Sequence, residues 1–180
     1  MKSDNMRFYS AMLMAGCGLH AAAQTQRPNI VFIITDDHSF QTISAYGSEV
    51  SKLAPTPNID RLANEGARFD DAFVENSLST PARACLLTGL YSHQNGQRTL
   101  GKGIDSTKTF VSELLQDAGY QTGVVGKWHM QCRPKGFDFF RIFEGQGDYY
   151  NPLVLSHDSN GKYEREQGYA TDIVTEHAVE

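Results

Sequence analysis

Apolar and polar positions alternate along this chain in patterns that predict strands and helices in turn. Residues 29–35 are almost all apolar and mostly β-branched, a pattern typical of a strand buried on both faces of a parallel sheet. Apolar residues at helical spacing follow Pro57, which suits the first turn of a helix, and recur over residues 109–118. Shorter strands are predicted at residues 69–74 and 121–126. Strands and helices in this order indicate an α/β fold with a βαβ crossover.

The first 23 residues have the pattern of an export signal. Lys2 and Arg7 precede an apolar run of small residues that ends in three alanines before Gln24. The run is too short for a stable transmembrane span. We therefore expect residues 1–23 to be a signal peptide and the protein to be exported, periplasmic or secreted. Lipoprotein anchoring through Cys17 is the alternative.

Composition narrows the function classes. Hydrophobic residues make up 40% and charged residues 21% of the 180 positions, as in an ordinary globular domain. The net charge of -5 and the lack of a basic stripe give no reason to expect a nucleic-acid partner. With Cys17 in the leader, Cys85 and Cys132 remain, and we expect two separate thiols rather than a bridge.

Two adjacent carboxylates follow the first predicted strand. Asp36 and Asp37 stand where residues 29–35 end, and ligands of open α/β sheets bind at the carboxyl ends of strands. Adjacent carboxylates repel each other, and a hard cation relieves that repulsion. The alternative is a solvated loop that caps a helix. His38, which comes next, is interpreted as a surface histidine.

A second polar cluster begins a helix. Pro81 suits the first turn, the following residues favour a helix, and Gly89 suits its end. Ser79 then stands just before a helix N-terminus, where backbone N–H groups favour an anion, and Arg83 can reach back to it. Alternatively, Ser79 is simply the residue that caps the helix. From the local sequence alone, Lys127 is predicted to be a loop residue that follows the strand at 121–126.

These residues resemble the formylglycine sulfatases. Ser79-Thr80-Pro81-Ala82-Arg83, followed by Leu-Leu-Thr-Gly and then Gly96, is similar to the signature of that family in its serine form, although many members have Ser where Ala82 stands. The strand ending in Asp36-Asp37 and the run Gly126-Lys127-Trp128-His129 also resemble family elements. The resemblance implies an alkaline-phosphatase-like three-layer sandwich with a mostly parallel central sheet, and residues 24–180 would be the N-terminal part of it.

The resemblance also implies a chemistry. Ser79 would be oxidised to formylglycine (3-oxoalanine) by a radical-type sulfatase-maturing enzyme. Asp36, Asp37 and Ser79 would bind Ca²⁺. Arg83, Lys127 and His129 would act with Ser79 in catalysis, the lysine on the sulfate and the histidine on the formylglycine or its ester. The remaining metal ligands and the leaving-group acid are expected further along the chain, so residues 24–180 alone are expected to be inactive and poorly folded.

An aromatic, glycine-rich stretch bears on the substrate. Residues 136–140 and 145–152 either tuck their aromatic rings onto the core or form a rim that stacks a sugar ring. The stretch resembles bacterial sulfatases that act on sulfated glycans such as those with N-acetylglucosamine 6-sulfate. Two other classes remain: a phosphodiester or phosphonate monoester hydrolase of the same superfamily, and an inactive glycan-binding derivative.

Overall fold

The computed structural model describes residues 27–180. The predicted signal peptide and Cys17 therefore lie outside the described residues. The described residues divide into two units, residues 27–38 and residues 39–180, which are described separately. Of the helices in the described part, none has the length and apolar character needed to cross a membrane.

In the first unit, residues 29–35 do not form the predicted strand. They have no regular secondary structure, and Val31 and Phe32 are 83% and 70% exposed. A β-branched run becomes a strand when a neighbouring strand takes up its backbone hydrogen bonds, and the four strands in the described residues pair only with one another. The expectation of a buried strand here is therefore wrong. Asp37, next to this run, has a positive φ of 53°.

The second unit begins with three short 3₁₀ turns and then carries the helices. The turns are Phe40–Thr42, Ser44–Tyr46 and Val50–Lys52. The α-helices of residues 39–180 are α1 (Pro57–Glu65), α2 (Ser79–Thr88), α3 (Ser92–Asn95), α4 (Val111–Asp117) and α5 (Ala170–Val179). Pro57 begins α1 as predicted, and α4 lies within the helix predicted at 109–118. Gly89 ends α2 with a left-handed φ of 66°, which confirms the predicted stop.

The strands form one mixed sheet in the order β1-β2-β3-β4. They are β1 (Gly123–Lys127), β2 (Phe139–Phe143), β3 (Leu153–Ser156) and β4 (Tyr163–Arg165). β1 and β2 are parallel, whereas the other two pairs are antiparallel, so this part of the fold is less parallel than expected. The predicted βαβ crossover runs from an earlier strand through the helix at 109–118 into the strand at 121–126. Within the described residues no strand precedes α4, so this crossover is absent. The strand predicted at residues 69–74 is also absent there, and Phe73 in it is 91% exposed.

Two apolar clusters hold the second unit together. The larger joins α2, the start of α4, the segment after β1, and the sheet, through Ala84, Ile104, Phe110, Trp128, Met130, Phe140, Ile142 and Leu155. The smaller packs α5 on the sheet, through Phe143, Val154, Ala170 and Ile173. Each fully buried large side chain stabilises the fold by about 1.5–3 kcal/mol. The larger cluster therefore anchors both α2 and the residues that follow β1.

Candidate active site

The start of α2 places Ser79 inside the helix. Leu78 is the capping residue, and its amide donates to Asn76 Oδ1 at 3.0 Å. Ser79 is therefore the first helical residue, so the prediction that it stands just before the helix and the alternative that it caps the helix are both wrong. Its side chain is half-buried, and Arg83 Nε donates to Ser79 Oγ at 3.3 Å. This contact is the one that the helical spacing predicts.

Arg83 connects the start of α2 to the end of β1. A terminal guanidinium nitrogen, Nη1, donates to the backbone carbonyl of Lys127 at 2.6 Å. A guanidinium offers several donors in a fixed plane, so one side chain can hold two groups at once. Arg83 thus fixes the Ser79 hydroxyl relative to the backbone of Lys127.

Thr80 makes a second connection between the same two segments. Its side chain is fully buried, and its Oγ1 donates to the backbone carbonyl of His129 at 3.2 Å. Together with the Arg83 bond, this contact joins residues that are 44 and 49 positions apart in the chain. The structure therefore brings the two predicted polar segments, Ser79 to Arg83 and Lys127 to His129, to one junction.

The segment after β1 is held on both sides of His129. Trp128 and Met130 are buried in the larger apolar cluster, whereas Lys127 and His129 are half-buried. The indole Nε1 of Trp128 donates to the carbonyl of Cys132 at 2.6 Å. His129 itself has a left-handed φ of 52°. Because its neighbours are fixed in the core, His129 stands on a defined backbone rather than on a loose loop.

The two cysteines of the described residues are separate thiols, as predicted. Cys132 is half-buried, and burial raises the pKa of its thiol. A thiol with a raised pKa is protonated at neutral pH and is a poor nucleophile. Burial therefore does not favour Cys132 as a nucleophile.

The predicted metal ligands lie in two units. Asp36 and Asp37 belong to residues 27–38, and Ser79 belongs to residues 39–180. Within residues 27–180, no group of three or more His, Cys, Asp or Glu side chains is arranged to hold a metal ion. Carboxylate and hydroxyl oxygens are hard donors and fit Ca²⁺ by their chemistry. The calcium assignment stays a prediction. His38, which follows the two aspartates, is exposed, as expected of a surface histidine.

The aromatic stretch divides between core and surface. Phe140 belongs to the larger cluster, and the Phe137 ring packs edge-on against Trp128 at 5.9 Å between centroids. Tyr149 and Tyr150 are 80% and 68% exposed, and Tyr150 lies 5.2 Å from the ring of Tyr169. The first half of the stretch is thus core, as one alternative expected, whereas the second half presents aromatic rings to solvent. The sugar-stacking alternative stays a prediction.

Comparisons with known proteins point to one family. The family model described as Sulfatase matches residues 28–180. N-acetylglucosamine-6-O-sulfatase of Bacteroides thetaiotaomicron is 46% identical over 173 residues, covering 94% of this chain and 30% of that protein. Arylsulfatase of Klebsiella aerogenes is 36% identical over 173 residues, covering 86% of this chain and 36% of that protein. The chain thus spans about a third of the length of these curated relatives.

Solved structures agree in fold. One, a complex with its substrate D-glucosamine-2-N,6-O-disulfate, has a TM-score of 0.80 and 48% identity, and the match covers 86% of this chain and 31% of that one. A crystal structure of Ps i-CgsB in complex with k-i-k-neocarrahexaose has a TM-score of 0.77 and 32% identity, with coverages of 86% and 41%. These likenesses confirm the predicted α/β fold class.

Proposed function

Because the chain belongs to the sulfatase family, we propose that the protein hydrolyses sulfate monoesters of a sulfated glycan, with N-acetylglucosamine 6-sulfate as the target unit. The observation that carries the proposal is the junction at which Arg83 contacts both Ser79 and the Lys127 carbonyl. The relative named N-acetylglucosamine-6-O-sulfatase and the structure with bound glucosamine disulfate support the choice of sugar.

The residues of the junction take distinct roles in this proposal. As the ester bond breaks, negative charge grows on the sulfate oxygens, and the cations of Arg83 and Lys127 stabilise it. Arg83 also orients the side chain of residue 79, to which its Nε already donates. His129 accepts a proton at its imidazole. Positions held by backbone contacts keep these groups oriented before the substrate arrives.

Two groups complete the proposed site. Ser79 would be converted to formylglycine by a radical-type maturing enzyme, and that group would supply an aldehyde whose hydrate can act as the nucleophile. Asp36, Asp37 and Ser79 would hold Ca²⁺, which would supply further positive charge for the sulfate oxygens. Both assignments rest on the family resemblance and on the oxygen chemistry of the donors.

The exposed tyrosines suit a sugar ring. An aromatic face packs well against the apolar face of a pyranose, and Tyr149 and Tyr150 present such faces to solvent. We therefore assign them to the glycan. Replacing Tyr149 with Ala should raise KM for the sulfated glycan more than KM for a small aryl sulfate. Equal changes in both would contradict the assignment.

The test uses the full-length protein, expressed together with a serine-accepting radical maturase. Sulfate release from N-acetylglucosamine 6-sulfate is measured beside the Ser79→Ala variant, which should be inactive. Mass spectrometry of the peptide that contains Ser79 should show a loss of ~2 Da on oxidation. Faster cleavage of a phosphodiester or phosphonate monoester would favour the second hydrolase class, and unmodified Ser79 without turnover would favour an inactive glycan-binding protein.

Export is a separate part of the proposal. Residues 1–23 would direct the protein out of the cytoplasm and be removed. N-terminal sequencing of the protein from its host should then begin at Gln24. A lipid-modified Cys17 at the mature terminus would instead favour the lipoprotein alternative.

A further inference from the structure

The two threonines of α2 use their hydroxyls differently. Thr88 Oγ1 donates to the carbonyl of Ala84 at 2.7 Å, four residues earlier in the same helix. That is the ordinary partner for a threonine inside a helix. Thr80 lies in the first turn, and the residue four positions before it is outside the helix. Its hydroxyl instead donates at 3.2 Å to the carbonyl of His129, which lies 49 positions further along the chain.

The contact acts on a strained part of the backbone. His129 has a φ of 52°, in the left-handed region that a residue with a Cβ adopts at a cost in free energy. Such a conformation persists when the surroundings hold it in place. Neighbouring carbonyls are each held by a donor: Lys127 by Arg83, Met130 by the Ile104 amide at 3.3 Å, and Cys132 by the Trp128 indole. The Thr80 hydroxyl donates to the carbonyl of His129 itself.

Burial of Thr80 raises the free-energy cost of losing this hydrogen bond. Thr80 is fully buried, so water does not readily replace its hydroxyl if the side chain is changed. A carbonyl that loses its donor pulls its peptide plane towards another partner, and here that plane belongs to the left-handed residue His129. The side chain of His129 leaves the backbone at this point, so a rotated plane moves the imidazole.

We propose that Thr80 is a positioning residue, whose buried hydroxyl fixes the left-handed backbone of His129 and thereby places the imidazole relative to residue 79. Thr80 itself touches neither the sulfate nor the sugar. The inference rests on the proposed sulfatase function for its catalytic consequence. Its structural half, that the Thr80 hydroxyl orders the segment from 127 to 132, does not depend on that function.

The test compares three variants of the full-length, matured protein. Thr80→Val keeps the shape and removes the hydroxyl, Thr80→Ser keeps the hydroxyl, and Thr88→Val removes the matched hydroxyl at the other end of α2. Rates are divided by the formylglycine content from mass spectrometry, because Thr80 adjoins the modified residue. We expect Thr80→Val to lower kcat roughly tenfold, as for a modest misplacement of a catalytic group, and to change KM less than about twofold. Thr80→Ser and Thr88→Val should match the wild type.

Hydrogen exchange gives a second readout that needs no turnover. Amides of residues 127–132 should exchange faster in Thr80→Val and at the wild-type rate in Thr88→Val. Wild-type kcat and exchange in Thr80→Val would overturn the proposal, as would a Thr80→Ser variant that departs from the wild type. If Thr80→Val does not fold, the comparison of Thr80→Ser with the wild type tests the proposal. If the wild type hydrolyses no sulfate ester but the exchange pattern appears, the proposed function fails and the ordering role of Thr80 stands.

Discussion

The two ends of strand β1 are held by opposite kinds of group. At its amino end, the amide of Thr122 donates to Asp138 Oδ2 at 2.8 Å, and Gln116 Nε2 donates to Asp138 Oδ1 at 2.8 Å. At its carboxyl end, Arg83 and Thr80 donate to the carbonyls of Lys127 and His129. One end therefore uses a carboxylate as acceptor, and the other uses a guanidinium and a hydroxyl as donors.

Because of this difference, we expect acid to weaken the amino end of β1 and not the candidate site at its carboxyl end. The backbone hydrogen bond from Thr122 is the main cause that holds the pKa of Asp138 below its usual value, with the Gln116 side chain adding to it. Protonation of Asp138 in acid would weaken that end of the strand. A guanidinium stays charged and a threonine hydroxyl stays neutral over the range in which carboxylates titrate. The junction near Ser79 should therefore outlast the amino end of β1 as the pH falls.

The largest effect is expected at the carboxyl end. Arg83→Gln removes the cation and its contacts to Ser79 Oγ and to the Lys127 carbonyl. We expect kcat for a sulfate ester to fall by at least about 100-fold, as when an oriented donor to a developing charge is lost. The exposed Arg98, changed to Gln, is the control for loss of one positive charge. A kcat for Arg83→Gln close to that of Arg98→Gln would show that the junction is not catalytic.

A smaller effect is expected within the strand itself. Gly126 has a φ of 92°, and a Cβ there would lie 3.3 Å from Val174 Cγ2 of α5. Gly126→Ala should therefore lower the free energy of unfolding by about 1–2 kcal/mol, from the left-handed backbone and the close contact. Gly101→Ala is the matched control, because no atom lies within 4 Å of its Cβ position and its φ is outside the left-handed region. Urea unfolding of both variants checks the difference, and equal midpoints would refute it.

The smallest effect is expected at the amino end. A lowered pKa in the folded state means that ionised Asp138 stabilises the fold above the usual value of 3.8, and that this stabilisation is lost as the pH falls through the lower, folded value. Asp138→Asn should thus be slightly less stable than the wild type at pH 7 and should lose less on acidification. Unfolding curves at pH 7 and in acid check this, with the exposed Asp117→Asn as control. Parallel acid profiles for Asp138→Asn and the wild type would contradict it.

Local elements of the second unit were predictable from the sequence. The start of α1 at Pro57, the stop of α2 at Gly89 and the reach of Arg83 to Ser79 depend on neighbours within a few positions. β1 was also predicted, although it begins two residues later and ends one residue later than the predicted range 121–126. Helix propensity, capping and i,i+4 spacing act over such short distances, so they leave a readable pattern.

Strand pairing was not predictable in the same way. Residues 29–35 have the stronger strand pattern, yet β2, with the sequence Phe-Phe-Arg-Ile-Phe, is the segment that pairs on both sides. We interpreted Phe139 and Phe140 as part of an aromatic stretch without strand structure, although Phe140 and Ile142 alternate with Arg141 as in a half-buried strand. Propensity describes one segment, whereas a strand also depends on a partner elsewhere in the chain.

The candidate site shows the same limit. The resemblance brought Ser79, Arg83, Lys127 and His129 to attention, and the structure brings their segments together. Thr80 was missed, because nothing near it in the sequence indicates a partner 49 positions away. The one available signal is its place in the first turn of a helix, where a threonine has no helical carbonyl four residues back. The catalytic and metal roles of the site residues stay predictions.

The long separation between the partners at the junction has a kinetic consequence. Helix α2 and its turns involve near neighbours and can form early, whereas the bonds from Arg83 and Thr80 close loops of 44 and 49 positions. Closing such loops costs chain entropy before the contacts repay it, so we expect the junction to form after the folding transition state. Substitutions at Arg83 or Thr80 should then speed unfolding while leaving the folding rate nearly unchanged.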